Sequence, residues 1–385
     1  MLRRGPVLRL VGFEVNGQWS RFVASSLVVV VAVLVTSPAP VAAAFGTIDG
    51  GGQHREHERI TRASLACAGE APLGEVCFAA RSMDFLAGHD HEFGGVGAPD
   101  SDEIADPTAH CDNADFLEVD NYPRTREQAT AGLLGCVSHL RGRFGEAVVA
   151  AAALLDGDGQ IIGDEVNFDS ECKVFDVAEK RAKCESLEAF GRVLHGAQDF
   201  YAHSNWADEA DPDRPMGDDN PPGLNLPAPS PVLDLLSDIS PVVPSGLSTG
   251  CFVLRDEVPG VGDCAGRVTH AALNKDNGLV DPNTGEVTGP TTSRGEVEEN
   301  FAMAVAGAIT ETRRQWQDFQ TELTARYGVD RAALMTCSLT HDEPVDDCRD
   351  LGWIRVLAGI VVVVGVLSLI SVLVFVTRRR RRATA

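Results

Sequence analysis

Four stretches of the chain bring their apolar residues back at intervals of three and four. They are "EHERITRASLAC" (56–67), "TREQATAGLLGCVSHLRGRFGEAVVAAAALL" (125–155), "VAEKRAKCESLEAFGRVLHGAQDFYAHSN" (177–205) and "GEVEENFAMAVAGAITETRRQWQDFQTELTARYG" (295–328). On a helix such spacing gathers the apolar side chains into one stripe. The first stretch predicts a short amphipathic helix and the second one or two Ala-rich helices. The third predicts a long helix, and the fourth a helix that stops at Gly328. Strand-like alternation is scarce, so the expected fold class is all-α, a single helical domain with long loops. Residues 207–250, rich in Pro, Asp, Gly and Ser, read as a long loop rather than a packed element.

Two apolar runs follow a different pattern. Arg21 precedes the run Leu27–Val35, and small residues follow it, the pattern of a secretory leader over 1–44 with cleavage after Ala44. Near the other end, Val356–Val376 is uncharged and long enough to cross a bilayer, which takes ~20 residues. Arg378–Arg382 follow directly and mark the cytoplasmic side. The expectation is therefore a leader, an outer domain over 45–352, a transmembrane helix over 353–377 and a basic inner tail over 378–385, placing the protein in the cell membrane.

Charge narrows the choice of partners. Residues 45–352 hold 23 of the 33 Lys and Arg but 55 of the 56 Asp and Glu, a formal −32. Such a field repels polyanions, so nucleic acid is not favoured and cations are the natural counter-partners. All ten cysteines also lie in this portion, and an even number in an exported domain points to disulfides. Nearest-neighbour pairing would join Cys67–Cys77, Cys111–Cys136, Cys172–Cys184, Cys251–Cys264 and Cys337–Cys348, although sequence does not fix connectivity. No spacing is CxxC, which argues against a zinc ribbon.

The candidate chemistry starts in the third helix. With His195 at 0°, Asp199 falls at about 40° and His203 at about 80°, while Leu187, Phe190, Leu194, Ala197 and Tyr201 fall between about 200° and 280°. The stripe is either a solvated polar face or the wall of a metal site. Gly191 and Gly196 flank it, each costing roughly 1 kcal/mol of helix propensity, and their missing side chains would let other groups approach. His195 and His203 stand ~12 Å apart along the axis, too far to share one ion through bonds of ~2 Å. The stripe would then serve at least two metals, with Asp199 placed to bridge. Further candidate ligands are His54 and His57, the loop group Asp100, Asp102, Asp106, His110, Asp112 and Asp115, and His270 with Asn274 and Asp276. Imidazoles and carboxylates together suit zinc or a similar ion.

"HERITRASL" (57–65), "GAPDSDE" (97–103) followed by His110, "LHGAQDFYAHSNW" (194–206) and "THAALNKD" (269–276) occur in this order along the chain. Together they resemble the zinc-dependent phospholipase C superfamily, the last two its Het-C and CinY-like branch. The resemblance covers most of residues 45–320 and implies a helical domain with two or three zinc ions. It implies that His57 and the mature terminus, Phe45, bind one zinc, while Asp100, His110 and His195 bind a neighbour and Asp199 bridges the two. His203 and His270 would hold a third. The family's phospholipases usually start with Trp and carry Glu four residues after the last histidine; here those positions are Phe45 and Asn274, with Asp276 nearby as a possible substitute.

The expected function is phosphodiester hydrolysis at a multi-zinc site, with Asp100 as general base and membrane lipid as both anchoring environment and substrate. Two rivals stand beside it: a nuclease or nucleotidase on the same fold, and a non-catalytic surface protein held together by its metals. "LLDGDGQIIGDE" (154–165) resembles half of a calcium-binding loop, but Leu154 replaces the first oxygen ligand, so it reads as a turn. His89 and His91 read as loop histidines.

Overall fold

The sequence "AKCESLEAFGRVLHGAQDFYAH" forms the central helix, Ala182–His203, and only Glu185 and Ala189 among its residues escape burial. A helix buried all round needs partners on every side. The computed structural model, which describes residues 45–50, 52–67, 76–90, 92–168, 174, 180–252 and 264–349, shows what they are. The helices of eight residues or more among the described residues are α1 (Glu56–Leu65), α2 (Ala80–Ala87), α3 (Arg126–Ala152), α4 (Ala182–His203), α5 (Asn300–Tyr327) and α6 (Val329–Thr340). α3 and α5 run along α4, α2 packs on α4, and α1 and α6 pack on α5. Among the described residues the strands form antiparallel ribbons of two residues per strand, beside a few isolated bridges. The expected helical class is thus the observed one.

Each long helix has a local cause. Thr125 and Gln128 form a reciprocal capping box at the start of α3, satisfying two N–H groups that would otherwise lack partners. Glu165 accepts from Ala182 N at 2.7 Å and does the same service for α4. α5 ends at Gly328, whose φ of 80° suits glycine, as its sequence position predicts. The stretch 125–155 is one helix rather than two. The turn at 156–160 is held by Asp156 Oδ1, which accepts from Asp158 N and Gln160 N, and Leu154 is fully buried, in keeping with a turn and not a calcium loop.

The amino-terminal half of α4 carries Phe190 into an aromatic cluster. Phe190 packs on Trp316 and Phe319 of α5, with ring centroids 5.5 and 5.1 Å apart, and Phe144 and Phe78 extend the cluster. The carboxy-terminal half carries the polar stripe. That stripe is not a solvated face: His195, Asp199 and His203 are all at 0 % exposure.

Residues 207–250 are irregular, as expected, yet they are packed, which corrects the expectation of an unpacked loop. Val232, Leu233, Leu235 and Leu247 enter the core. The physical reason is Asn205, just after α4: its amide donates to Pro222 O and Gly246 O and accepts from Ser248 N, clamping the segment in its interior and near its end. Trp206 Nε1 adds a bond to Pro227 O at 3.0 Å. Side-chain amides here replace the backbone ladder that buried chain otherwise requires.

Four of the five expected disulfides are present: Cys67–Cys77, Cys111–Cys136, Cys251–Cys264 and Cys337–Cys348. Cys184 is also disulfide-bonded, while its expected partner Cys172 lies outside the described residues. So do His91, the leader over 1–44, residues 177–179 of the third helical stretch, and the membrane span over 353–377 with its basic tail. Among the described residues no helix is long and apolar enough to cross a membrane.

Candidate metal centres

Two glycines bring loop segments against α4. A Cβ on Gly191 would lie 2.5 Å from Val96 N, and one on Gly196 would lie 2.5 Å from Ala109 O and 2.8 Å from Leu140 Cδ2. The backbones that exploit these gaps carry the site. Val96 O accepts from His195 Nδ1 at 2.9 Å, and the residue after Ala109 is His110. The Cys111–Cys136 disulfide then ties the 109–115 segment to α3. Replacing Gly196 by Ala should therefore displace His110 and cost about 1–3 kcal/mol through overpacking. Chemical denaturation would show the loss, and an unchanged midpoint would refute the close fit.

The first cluster surrounds Asp199. Its Oδ1 lies 3.2 Å from His57 Nε2. Its Oδ2 lies 3.0 Å from His195 Nε2 and 2.9 Å from His110 Nδ1. Asp100 Oδ1 stands 3.7 Å from His195 Nε2 and 4.0 Å from His110 Nδ1, and Asp100 Oδ2 accepts from the Thr47 hydroxyl. Phe45 is fully buried beside this cluster, its ring edge-on to His57 with centroids 5.8 Å apart.

The tautomers follow from the outer partners. Gln198 Nε2 donates to the hydroxyls of Thr61 and Thr312, which leaves Oε1 to accept from His57 Nδ1 at 2.7 Å. His57 Nε2 then presents a lone pair to Asp199 Oδ1, and both of these buried atoms lack a hydrogen-bond partner. His195 likewise spends Nδ1 on Val96 O and turns the lone pair of Nε2 inward. Acceptors facing one another in a buried site need a cation among them, a proton or a metal. Outer partners that fix an imidazole in this way are the usual companions of metal ligands.

The second cluster lies one to two turns further along α4. His203 Nε2 donates to Asp276 Oδ1 at 2.9 Å, so its unpartnered Nδ1 faces Asp112 Oδ1 at 3.6 Å. His270 Nδ1 is 3.2 Å from Asp112 Oδ2, and the His203 and His270 rings are 3.9 Å apart. His270 opens a one-turn helix, His270–Leu273, whose amide His270 N donates to Cys251 O beside the Cys251–Cys264 disulfide. Two separate clusters along one helix match the axial spacing of His195 and His203.

Electrostatics keep all but one of these groups charged despite burial. At His57 burial opposes protonation, but the Asp199 carboxylate outweighs it and the pKa rises. At His110 burial is again overcome by the hydrogen bond and charge of Asp199, and the pKa is carried up to about 9. Burial wins at His195 and lowers its pKa. Asp199 itself, though buried, is held well below the usual carboxylate range by His195, His203, His57 and His110. Asp276 is lowered too, because His203 outweighs its burial.

The donor sets fit metal ions. Three groups of His and Asp bring ligand atoms within 4.8 Å of one another: His57, His195 and Asp199; Asp100, His110 and His195; and Asp112, His203 and His270. Cys337, His341 and Cys348 also lie together, but the two cysteines are bonded to each other and offer no thiolates.

The remaining expected ligands have other tasks. Asn274 Oδ1 accepts from Asp276 N and shapes the turn that brings Asp276 to His203. His54 stands 3.7 Å from Asp49 at the surface. Asp102 pairs with Arg192, Asp106 holds Thr108, and Asp115 pairs with Arg124 and Arg267. His89 sits in the ribbon Gly88–His89.

Asp112 and Gln198 are the residues that sequence reasoning undervalued. Asp112 stood unranked among six loop groups, although its position two residues after His110 was a usable signal. Gln198 carried no signal beyond its place next to Asp199. No family model, no curated protein and no solved structure matches the chain.

Proposed function

We propose that the chain is a membrane-anchored, extracellular zinc-dependent phosphodiesterase of phospholipase C type. One observation carries this reading: a single buried carboxylate, Asp199, faces three imidazoles, and at two of them the outer nitrogen is tied off so that a lone pair points inward. Neutral imidazoles and carboxylates in this ratio suit zinc. Zinc ions held there would supply Lewis-acid stabilisation of phosphoryl oxygens and a water acidic enough to attack at neutral pH.

The chain's own groups supply the rest. His57, His195 and Asp199 are closed off at 0 % exposure, whereas Asp100 retains 18 % in its side chain. A substrate therefore approaches on the Asp100 side, and Asp100 Oδ1 is the oxygen placed to take a proton from a water entering there. Thr47 holds the other oxygen and sets the carboxylate's orientation. Gln198 and Val96 keep two imidazoles in one tautomer.

A second reading, a metal-stabilised surface protein without catalysis, is favoured by the burial of the second cluster. Asp112, His203, His270 and Asp276 are all at 3 % exposure or less, and closed sites are characteristic of structural metals.

The test uses the purified full-length chain with its native metal content. Elemental analysis should find two or three zinc ions per chain. Phosphatidylcholine vesicles, a nucleotide and single-stranded DNA should be offered side by side. Lipid hydrolysis abolished by a chelator and restored by zinc is the expected result. Hydrolysis of the nucleic-acid substrates alone would replace phospholipase by nuclease, and a zinc-loaded chain inert on all three would leave the structural reading.

A further inference from the structure

The polar stripe of α4 has two further members that the proposed chemistry does not use. With His195 at 0°, Arg192 falls at about 60° and Glu188 at about 20°, in line with Asp199 at about 40°. The line of metal-site residues therefore runs on toward the amino terminus as a charged pair, and both members are buried. A buried guanidinium group is costly unless its donors are met. Those of Arg192 are met by three carboxylates.

Arg192 grips Asp102 with both arms of its fork: Nη1 donates to Oδ1 at 2.9 Å and Nη2 donates to Oδ2 at 2.7 Å. Nη1 also donates to Glu103 Oε2 at 2.7 Å, and Nη2 to Glu188 Oε1 at 3.1 Å, one turn back on α4. Lys180 holds the other oxygen of Glu188, and Arg143 the other oxygen of Glu103, so the fork is steadied from both sides. A bidentate pair of this kind imposes direction as well as attraction.

What it holds is the one-turn helix Pro99–Asp102. That turn carries Asp100, the carboxylate proposed above to take a proton and a member of the donor group with His110 and His195. The segment is stapled to α4 on both sides of Asp100. Before it, Val96 O accepts from His195 Nδ1 at 2.9 Å; after it, Asp102 sits in the Arg192 fork. Arg192 and His195 stand three residues apart on one helix, so the spacing of the two staples is fixed. Asp100 between them is set with Oδ1 3.7 Å from His195 Nε2. Thr47 sets how the Asp100 carboxylate is turned; the staples set how far its backbone stands from α4. The Asp102 side chain is 43 % exposed. An ion pair with one partner that open adds little to stability, so the clamp does more for geometry than for the fold.

We propose that Arg192 is a positioning residue: through its clamp on Asp102 it holds Asp100 at the distance from His195 that the site requires. Its expected effect on turnover rests on the phosphodiesterase reading above; its expected effect on zinc rests only on Asp100, His110 and His195 forming one donor group.

Asp102→Asn keeps the volume and removes the charge that the fork grips. Arg192→Lys keeps the charge and removes the fork. In the full-length, zinc-loaded chain, each should lower kcat on phosphatidylcholine vesicles about 10–100-fold with KM unchanged, the range usual for residues that orient metal ligands. The double variant should be no slower than the slower single one, because both changes break one clamp. Competition with a chromophoric chelator should show one zinc ion per chain bound at least about tenfold more weakly and the rest unchanged. The melting temperature of Asp102→Asn should stay within about 2–3 °C of the wild type. Activity lost only in step with folded protein, additive losses in the double variant, or a change in KM alone would each overturn the proposal. So would a kcat and a zinc affinity both indifferent to Asp102→Asn. Should the wild type hydrolyse no lipid, the phospholipase reading fails and the chelator titration alone decides: weakened zinc in Asp102→Asn upholds the clamp, and unweakened zinc removes it.

Discussion

Asp199→Asn should strip the first cluster of its metal and abolish hydrolysis while the second cluster stays loaded. Asn matches Asp in volume, so packing of α4 is preserved and only charge and lone pairs change. The carboxylate it replaces faces His57 with one oxygen and His110 and His195 with the other. An amide offers one weaker oxygen to one side and an N–H₂ donor to the other, where an inward lone pair or a metal already stands. Outer partners of ligands are worth about 10–100-fold in metal affinity, so a residue spanning both halves of a cluster should cost at least about 100-fold. Elemental analysis should show zinc falling but not to zero, because the cluster of Asp112, His203 and His270, anchored on α4 by His203, does not include Asp199. The chelated variant should also lose about 3–5 kcal/mol, the usual cost of removing one partner from a buried charge pair. An unchanged zinc content would end the bridging role of Asp199, and loss of all zinc would mean that the two clusters are not independent.

How far the molecule could be read from its sequence differs from one element to the next. The four helical stretches were legible because apolar spacing directly reflects which side of a helix meets the core. Gly191 and Gly196 were legible for the converse reason: glycine in a helix interior is a cost without a local return, and here the return is the close approach of the Val96 and Ala109 backbones. The burial of α4 on its polar side was not legible. A stripe of His and Asp has the same periodicity whether it faces water or faces other ligands from distant loops, and only the fold brings His57, His110 and Asp112 to it. Asp112 and Asp115 make the point within a single loop. Three residues apart and chemically identical, one turns to the His203 and His270 imidazoles and the other to Arg124 and Arg267. The 207–250 segment misled for a related reason. Its composition is that of a solvated loop, and it packs because one amide, Asn205, ties it down at Pro222 and Gly246 from outside the segment.

The gap in melting temperature between zinc-loaded and chelated protein should go on widening up to about pH 9, two units beyond where an ordinary histidine site would level off. In the chelated chain a proton occupies the place of the metal. His110 is raised to about 9 and His57 is raised as well, both against burial and chiefly by Asp199. A folded-state pKa above the unfolded value of about 6.5 contributes stability that is complete below pH ~6.5 and is lost as pH climbs through about 9. At roughly 1.4 kcal/mol per unit, His110 alone accounts for about 3 kcal/mol. His195, lowered, changes the balance only below pH ~6.5, and Asp199, depressed, only at acid pH. Zinc reverses the dependence, because it needs those lone pairs free and binds more tightly as protons leave. Lys183 slopes the other way in the same window: burial lowers it to about 7, so stability is regained above that pH. It does so equally in both forms, which makes the difference between the two melting curves, rather than either curve alone, the quantity to follow. About 3 kcal/mol in a domain of about 300 residues corresponds to a change of roughly 5 °C. Calorimetric scans from pH 6 to 9.5, with zinc and with chelator, would measure it. A gap that reaches its plateau by pH 7 would mean that the imidazoles around Asp199 hold no extra protons and that the buried carboxylate has some other partner.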